Sequence, residues 1–138
     1  MKKIAIVGGG IVGLATAYKV QKLMPTAKVT LFEKEDSVGL HQSGRNSGVL
    51  HCGLYYEPGS LKSRLAVSGI RQMTEFCIEN QIPHDICGKI VVASNSREEI
   101  YLDNLADRGS KNGLQGLKYL SNQEMKSREP YVLQKKHF

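Results

Sequence analysis

The reading of the fold turns on Ile4-Ala5-Ile6-Val7-Gly8-Gly9-Gly10-Ile11-Val12-Gly13 and on the residues after it as far as Glu33. An apolar run leads into a glycine turn. A segment with helical spacing comes next, then Lys28-Val29-Thr30-Leu31-Phe32, and then the acid Glu33. Strand, glycine turn, helix, strand and acid in that order form the dinucleotide-binding fingerprint. Gly8 allows a tight turn off the strand, Gly10 lets backbone approach a pyrophosphate, and Gly13 lets the helix lie close to the sheet. The unpaired amides and the dipole at the helix start favour an anion. Glu33, twenty residues past Gly13, stands where a carboxylate accepts hydrogen bonds from a ribose and repels a 2′-phosphate. The competing readings are a glycine-rich turn in another kind of α/β protein and, for Glu33, a plain surface acid.

Outward from this unit, the spacing predicts a first helix from Gly10 to Leu23, with Ile11, Leu14, Ala15 and Tyr18 as its inward stripe and Met24-Pro25-Thr26 as its stop. Residues 37–60 have neither clean periodicity nor the charge of a linker, and they hold Gly39, Gly44, Gly48, Gly53 and Gly59. An irregular stretch of that length in a compact domain is usually functional, and glycine turns expose amides that bind anions. Ser60 is the expected N-cap of a helix from Leu61 to Glu79, with Leu61, Leu65, Ile70, Met73 and Cys77 on its core face and Asn80 as its stop. Lys89-Ile90-Val91-Val92-Ala93 reads as a strand. Ser96-Arg97-Glu98-Glu99 reads as a capping box opening a helix to Lys111, ended by Asn112-Gly113. Lys118-Tyr119-Leu120 reads as a short strand, and Ser121-Asn122-Gln123-Glu124 as a second capping box whose helix Pro130 limits. The expected class is α/β, a Rossmann-like βαβ unit followed by the start of an α+β domain. The expected division is 1–82 for nucleotide binding and 83–138 for the second part.

The 138 residues suffice for one ordinary domain, and 41% hydrophobic with 23% charged residues is a globular composition. The net charge of +6 comes from basic residues interleaved with acids, the densest pair being Lys135-Lys136, so a solvated surface is expected rather than a nucleic-acid interface. Cys52, Cys77 and Cys87 form no CxxC pair, and an odd count argues for reduced thiols packed as core filler. His41, His51, His84 and His137 show no zinc-like spacing to them, so no metal site is expected. The glycine fingerprint sits where the apolar region of a signal peptide would stand, which leads to the expectation of a cytoplasmic protein.

Gly39-Leu40-His41-Gln42-Ser43-Gly44-Arg45-Asn46-Ser47-Gly48-Val49-Leu50-His51-Cys52-Gly53-Leu54-Tyr55-Tyr56-Glu57-Pro58-Gly59-Ser60-Leu61-Lys62 closely resembles the second motif of the L-2-hydroxyglutarate oxidases and dehydrogenases. These are flavoproteins of the wider D-amino-acid oxidase and glycine oxidase group. Cys87-Gly88-Lys89-Ile90-Val91-Val92-Ala93 and Arg128-Glu129-Pro130 are similar to the family as well, so the resemblance runs over nearly the whole chain. It departs at Arg45, where histidine is common, and in the tail from Tyr131 to Phe138. The family's chains are much longer, which implies an N-terminal portion.

The resemblance implies an FAD enzyme that oxidises an L-2-hydroxy acid, with L-2-hydroxyglutarate favoured, to the 2-oxo acid. Electrons would pass to oxygen or to a quinone pool, the second implying a peripheral seat on the inner face of the cell membrane. Gly8, Gly10, Gly13 and Glu33 would hold the ADP half, with Ile11, Val12, Lys34 and Gln42 completing the cofactor set. Ser43, Gly44, Arg45, Asn46, Ser47 and Gly48 would line the pyrophosphate and the approach to the flavin ring, with Val49, Leu50 and His51 beside it. His51 is the candidate catalytic residue, since an imidazole suits a proton acceptor for a hydroxyl. The plainer readings are a buried histidine at 51, a solvated Arg45 and packing roles for Tyr55 and Tyr56. The rival functions are an amino-acid or glycerol-3-phosphate flavin oxidase, a non-catalytic nucleotide-binding fragment, and an NAD enzyme that would leave His41 to Lys62 unexplained.

Overall fold

A computed structural model describes residues 1–132. The chain divides into two compact units, Met1–Val49 and the residues from Leu50 onward, a break earlier than residue 82. The departing tail lies outside the described residues from position 133.

In the first unit, β1 (Lys3–Val7) and β2 (Lys28–Phe32) pair in parallel, joined by α1 (Ile11–Leu23). The register sets Ile4 beside Val29 and Ile6 beside Leu31. Side chains alternate across a strand, so these four share one face. A Cβ built on Gly13 would lie 3.6 Å from Ile6 Cγ2, which identifies that face as the one α1 covers. The inward side of α1 is Gly13, Leu14, Ala17 and Val20. The expected stripe is thus rotated: Ile11, Ala15 and Tyr18 are exposed, because the contact of Gly13 with the Gly8 carbonyl fixes the rotation of the helix. Leu14 alone keeps its expected place.

The second unit holds α2 (Leu61–Glu79), α3 (Ser96–Lys111) and α4 (Asn122–Arg128). Ser60 caps α2 by accepting from the Ser63 amide at 3.1 Å. Asn80 is its C-cap, followed by Gln81 at φ +56°. Its core side runs through Ser63, Ala66, Val67, Ile70 and Cys77, while Leu61 and Leu65 face solvent, contrary to the expected stripe. The phase is set at the cap: Ser63 is folded back onto the Ser60 carbonyl and buried, which turns Leu61 and Leu65 outward.

The cap of α3 is Asn95, one residue before the expected Ser96. Asn95 Oδ1 accepts from the amides of Arg97 and Glu98, both at 3.1 Å, and Glu98 accepts instead from the amide and hydroxyl of Ser94. The Ser121–Glu124 capping box forms as expected, and α4 ends before Pro130. Lys89–Ala93 and Lys118–Leu120 are not strands. Among the described residues the sheet has only β1 and β2, and an apolar run becomes a strand only where a partner supplies its hydrogen bonds. No described helix is long and apolar enough to cross a membrane.

The loop at Gly53–Tyr56 is the wedge that holds this unit together. A Cβ on Gly53 would stand 3.4 Å from both Ala66 and Val67 of α2. Leu54, buried, packs over Gly109 of α3, and Cys77, Leu105 and Met125 are the other buried apolar side chains among the described residues of this unit. Asn112 donates to the carbonyls of Gly53 (3.1 Å) and Tyr56 (2.9 Å), and Arg108 to that of Tyr55 (3.1 Å).

Candidate functional site

β1 ends at Val7, and Gly8 turns the chain with φ +100°, a conformation that side chains with a Cβ rarely adopt. The Gly8 amide still donates to the Phe32 carbonyl at 2.8 Å, so the turn starts on the sheet itself. Gly10 is the N-cap of α1 and has no side chain with which to cap it. The cap comes from 32 residues away: Ser43 Oγ accepts from the Ile11 amide at 2.7 Å. The amides of Gly10 and Val12 find no acceptor among the described residues. Two backbone donors at the positive end of a helix dipole make an anion seat.

Glu33 lies at the end of β2, beside this turn. Its Oε2 accepts from the Gly9 amide at 2.5 Å, and its Oε1 from the amides of Lys34 (2.8 Å) and Glu35 (3.1 Å). These bonds, that of Gly9 foremost, hold the Glu33 carboxyl below the usual range. A carboxylate offers about four acceptor positions, so about one is left for a hydroxyl donor. A cavity of about 380 Å³ opens here, lined among others by Gly8, Gly10, Glu33, His41 and Ser43. A groove of similar volume lies over Gly8, Gly10, Ile11, Val12 and Gly13.

The loop after Glu33 returns to the glycine turn. The Gly39 amide donates to the Gly9 carbonyl at 3.0 Å, and His41 Nε2 lies 3.0 Å from Glu35 Oε1. Asn46 spends its side chain inside the loop: Nδ2 donates to the carbonyls of Gln42 and Ser43, and Oδ1 accepts from the Gly48 amide at 2.7 Å. The Gly44 amide donates to the His41 carbonyl, and a Cβ at Gly44 would strike the Gly39 carbonyl. Lys34 Nζ lies 3.5 Å from Glu35, while Arg45 and Ser47 are exposed.

The structure therefore brings Gly8, Gly10, Ile11, Val12, Gly13, Glu33, Gln42 and Ser43 around one turn and its cavities. His51 is exposed in the other unit. Three contacts were not announced by the sequence: the Gly9 amide on Glu33, the Glu35–His41 pair, and the grip of Arg108 and Asn112 on Gly53–Tyr56. The middle glycine of three has no signature of its own, and His41 stood in the long motif without a partner to read.

A parallel βαβ unit with an anion seat at the helix start and a carboxylate at the end of the second strand is a Rossmann-like, dinucleotide-binding fold. A family model described as FAD dependent oxidoreductase matches residues 3–137, and the chain belongs to that family. It is 46% identical, over 94% of its length, to the L-2-hydroxyglutarate dehydrogenase of Indibacter alkaliphilus, of which it covers 32%. It is likewise 46% identical over 94% of its length to the L-2-hydroxyglutarate dehydrogenase, mitochondrial, of Dictyostelium discoideum, covering 29% of it. It is 42% identical over 93% of its length to that of Homo sapiens, covering 28%. The chain thus spans about a third or less of these relatives.

The site fits the family's cofactor. Backbone donors without an acceptor among the described residues suit a diphosphate, and a carboxylate held below its usual range suits ribose hydroxyls. At Gly10 a Cβ would stand 3.2 Å from Ser43 Oγ and narrow the approach.

Proposed function

We propose that the glycine turn holds the diphosphate of FAD, and that this chain is the cofactor-binding portion of an enzyme oxidising an L-2-hydroxy acid, L-2-hydroxyglutarate, to the 2-oxo acid. The observation that carries the reading is the Glu33 carboxylate fixed to the Gly9 amide beside two amides that find no acceptor among the described residues. The names of the relatives support the substrate. When bound, the flavin supplies a hydride acceptor for the carbon that bears the hydroxyl.

The chain's own residues do the rest. Gly10 and Val12 donate backbone hydrogen bonds to phosphate oxygens, with Ile11 and Gly13 shaping the helix start. Glu33 accepts from the ribose, and its charge disfavours a 2′-phosphate. Arg45 offers a cation toward the phosphates. Gln42, Ser43, Gly44, Asn46, Ser47 and Gly48 form the loop along the diphosphate, and Lys34 flanks the ribose. His51 takes the hydroxyl proton. Residues 1–82 serve the cofactor and 83–138 begin the substrate part. Oxygen or a quinone receives the electrons, and the protein works in the cytoplasm or peripherally on the inner face of the cell membrane.

The test is to purify the full chain and record its absorption and turnover. The expected result is a bound oxidised-flavin spectrum bleached by L-2-hydroxyglutarate. Bleaching by an amino acid or glycerol 3-phosphate instead would move the substrate to the sibling oxidases. A colourless chain that takes up NAD rather than FAD would overturn the reading.

A further inference from the structure

His41 stands near the start of the long motif, yet no hydrogen bond joins its side chain to the glycine turn or to Glu33. Its Nε2 lies 3.0 Å from Glu35 Oε1. The two residues sit on opposite limbs of the loop that leaves Glu33. Glu35 is on the outgoing limb, its amide on the Glu33 carboxylate. His41 is on the returning limb, two residues before Ser43, whose hydroxyl closes α1. Between them the loop rests on the turn: Gly39 donates to the Gly9 carbonyl, and a Cβ on Gly9 would stand 2.9 Å from Val38 Cγ1.

The loop therefore meets the glycine turn at its start, middle and end, and the side chains of 35 and 41 tie its limbs together. Both residues line the cavity that Glu33 and Ser43 also line. The charged groups around the imidazole are Glu33, Lys34 and Glu35, with Lys34 Nζ 3.5 Å from Glu35. The amide of Gly9 does most to hold Glu33 ionised, and the charge of a protonated His41 acts in the same direction.

We propose that Glu35 and His41 form a clasp across the adenosine side of this cavity and are positioning residues for the nucleotide. The proposal rests on the FAD-binding reading and extends it to two residues outside the fingerprint. The pair acts by holding the loop, and thus Glu33 and Ser43, in the geometry that receives the ribose and diphosphate. Because the pair is partly exposed, its effect is modest.

The experiment measures affinity of the full chain for FAD, by quenching of flavin fluorescence, and for ADP, by calorimetry. Glu35→Ala and His41→Ala are each expected to weaken both nucleotides about threefold. The double variant should bind no worse than either single one, since each removes the same contact. His41→Gln, which keeps a donor near Nε2, should restore most of the loss, and a merely structural role for the ring would show no such rescue. Wild-type affinity in both alanine variants, independent losses in the double variant, or failure of glutamine to rescue would each overturn the clasp. If wild type binds FAD and the variants are indifferent, only the clasp falls. If wild type binds neither nucleotide, the cofactor reading falls and takes the clasp with it.

Discussion

Glu33 and Gly9, 24 positions apart, are joined by a 2.5 Å hydrogen bond from the Gly9 amide to Glu33 Oε2. That bond welds the end of β2 to the turn leaving β1. It fixes the one acid of the fingerprint beside the start of α1. The amides of Lys34 and Glu35 complete the hold.

Glu33→Gln tests this arrangement directly. An amide side chain keeps one acceptor oxygen but presents an NH₂ where the other oxygen faced backbone donors. Loss of the charged acceptor should weaken ADP binding about tenfold. Calorimetric titration of wild type and variant with ADP checks it, and equal affinities would detach Glu33 from the nucleotide.

The same bonds give a pH dependence of defined sign. The folded chain holds the Glu33 carboxyl below its usual range, so the proton binds more readily to the unfolded chain. The resulting stability is present above the ordinary glutamate value of about 4.3 and is lost as pH falls from there through the folded value. Glu98, bonded by Ser94, and Glu124, bonded by Ser121, shift in the same direction and add to the acid limb. Thermal midpoints measured from about pH 6 down to about pH 3 should fall, and less steeply in Glu33→Gln.

Two glycines of the turn should respond differently to alanine. At Gly13 a Cβ would drive into the Gly8 carbonyl oxygen, a backbone atom that cannot swing away. Gly13→Ala should therefore cost about 1–3 kcal/mol in urea denaturation. At Gly10 the nearest atom is Ser43 Oγ at 3.2 Å, which can give by rotation. Gly10→Ala should leave stability nearly unchanged and weaken FAD, because the methyl occupies the approach of the diphosphate. Equal destabilisation of the two would contradict this packing.

In the second unit Asn112 gives both its amide hydrogens to the Gly53 and Tyr56 carbonyls. Asn112→Ala strands two half-buried acceptors and should cost about 1–3 kcal/mol. Arg108→Ala removes one such bond and an exposed ion pair at 3.7 Å from Glu57, and should cost about 0–1 kcal/mol. Urea denaturation gives the order, and amide exchange at Tyr56 should quicken in both.

Much of the first unit was legible because its signals are local. Glycines at 8, 10 and 13 and β-branched runs on either side force the βαβ arrangement, whatever surrounds it. The rotation of α1 was not legible, since the contact of Gly13 with the Gly8 carbonyl is made across the turn. The apolar run at Lys89–Ala93 misled for the opposite reason, since its composition suits a strand but pairing requires a neighbour. At α3, Ser96 and Asn95 are both good caps with an acid three residues on, and the structure uses Asn95, whose Oδ1 takes two amides while Glu98 turns back to Ser94. Of the site, the glycines and Glu33 were readable from spacing. Ser43 was readable only through the long motif, and its bond to Ile11 spans 32 positions.

The face of the sheet turned away from α1 carries Val7, 88% exposed, and Phe32, 56% exposed, on two strands that both have a bare edge among the described residues. Parallel pairs are ordinarily sheltered on both sides, and unshielded strands recruit others of their kind. How long this polypeptide stays dispersed in a tube will depend on how concentrated it is. Dilution, or a mild detergent masking that flank, should prolong its life in solution more than cooling does.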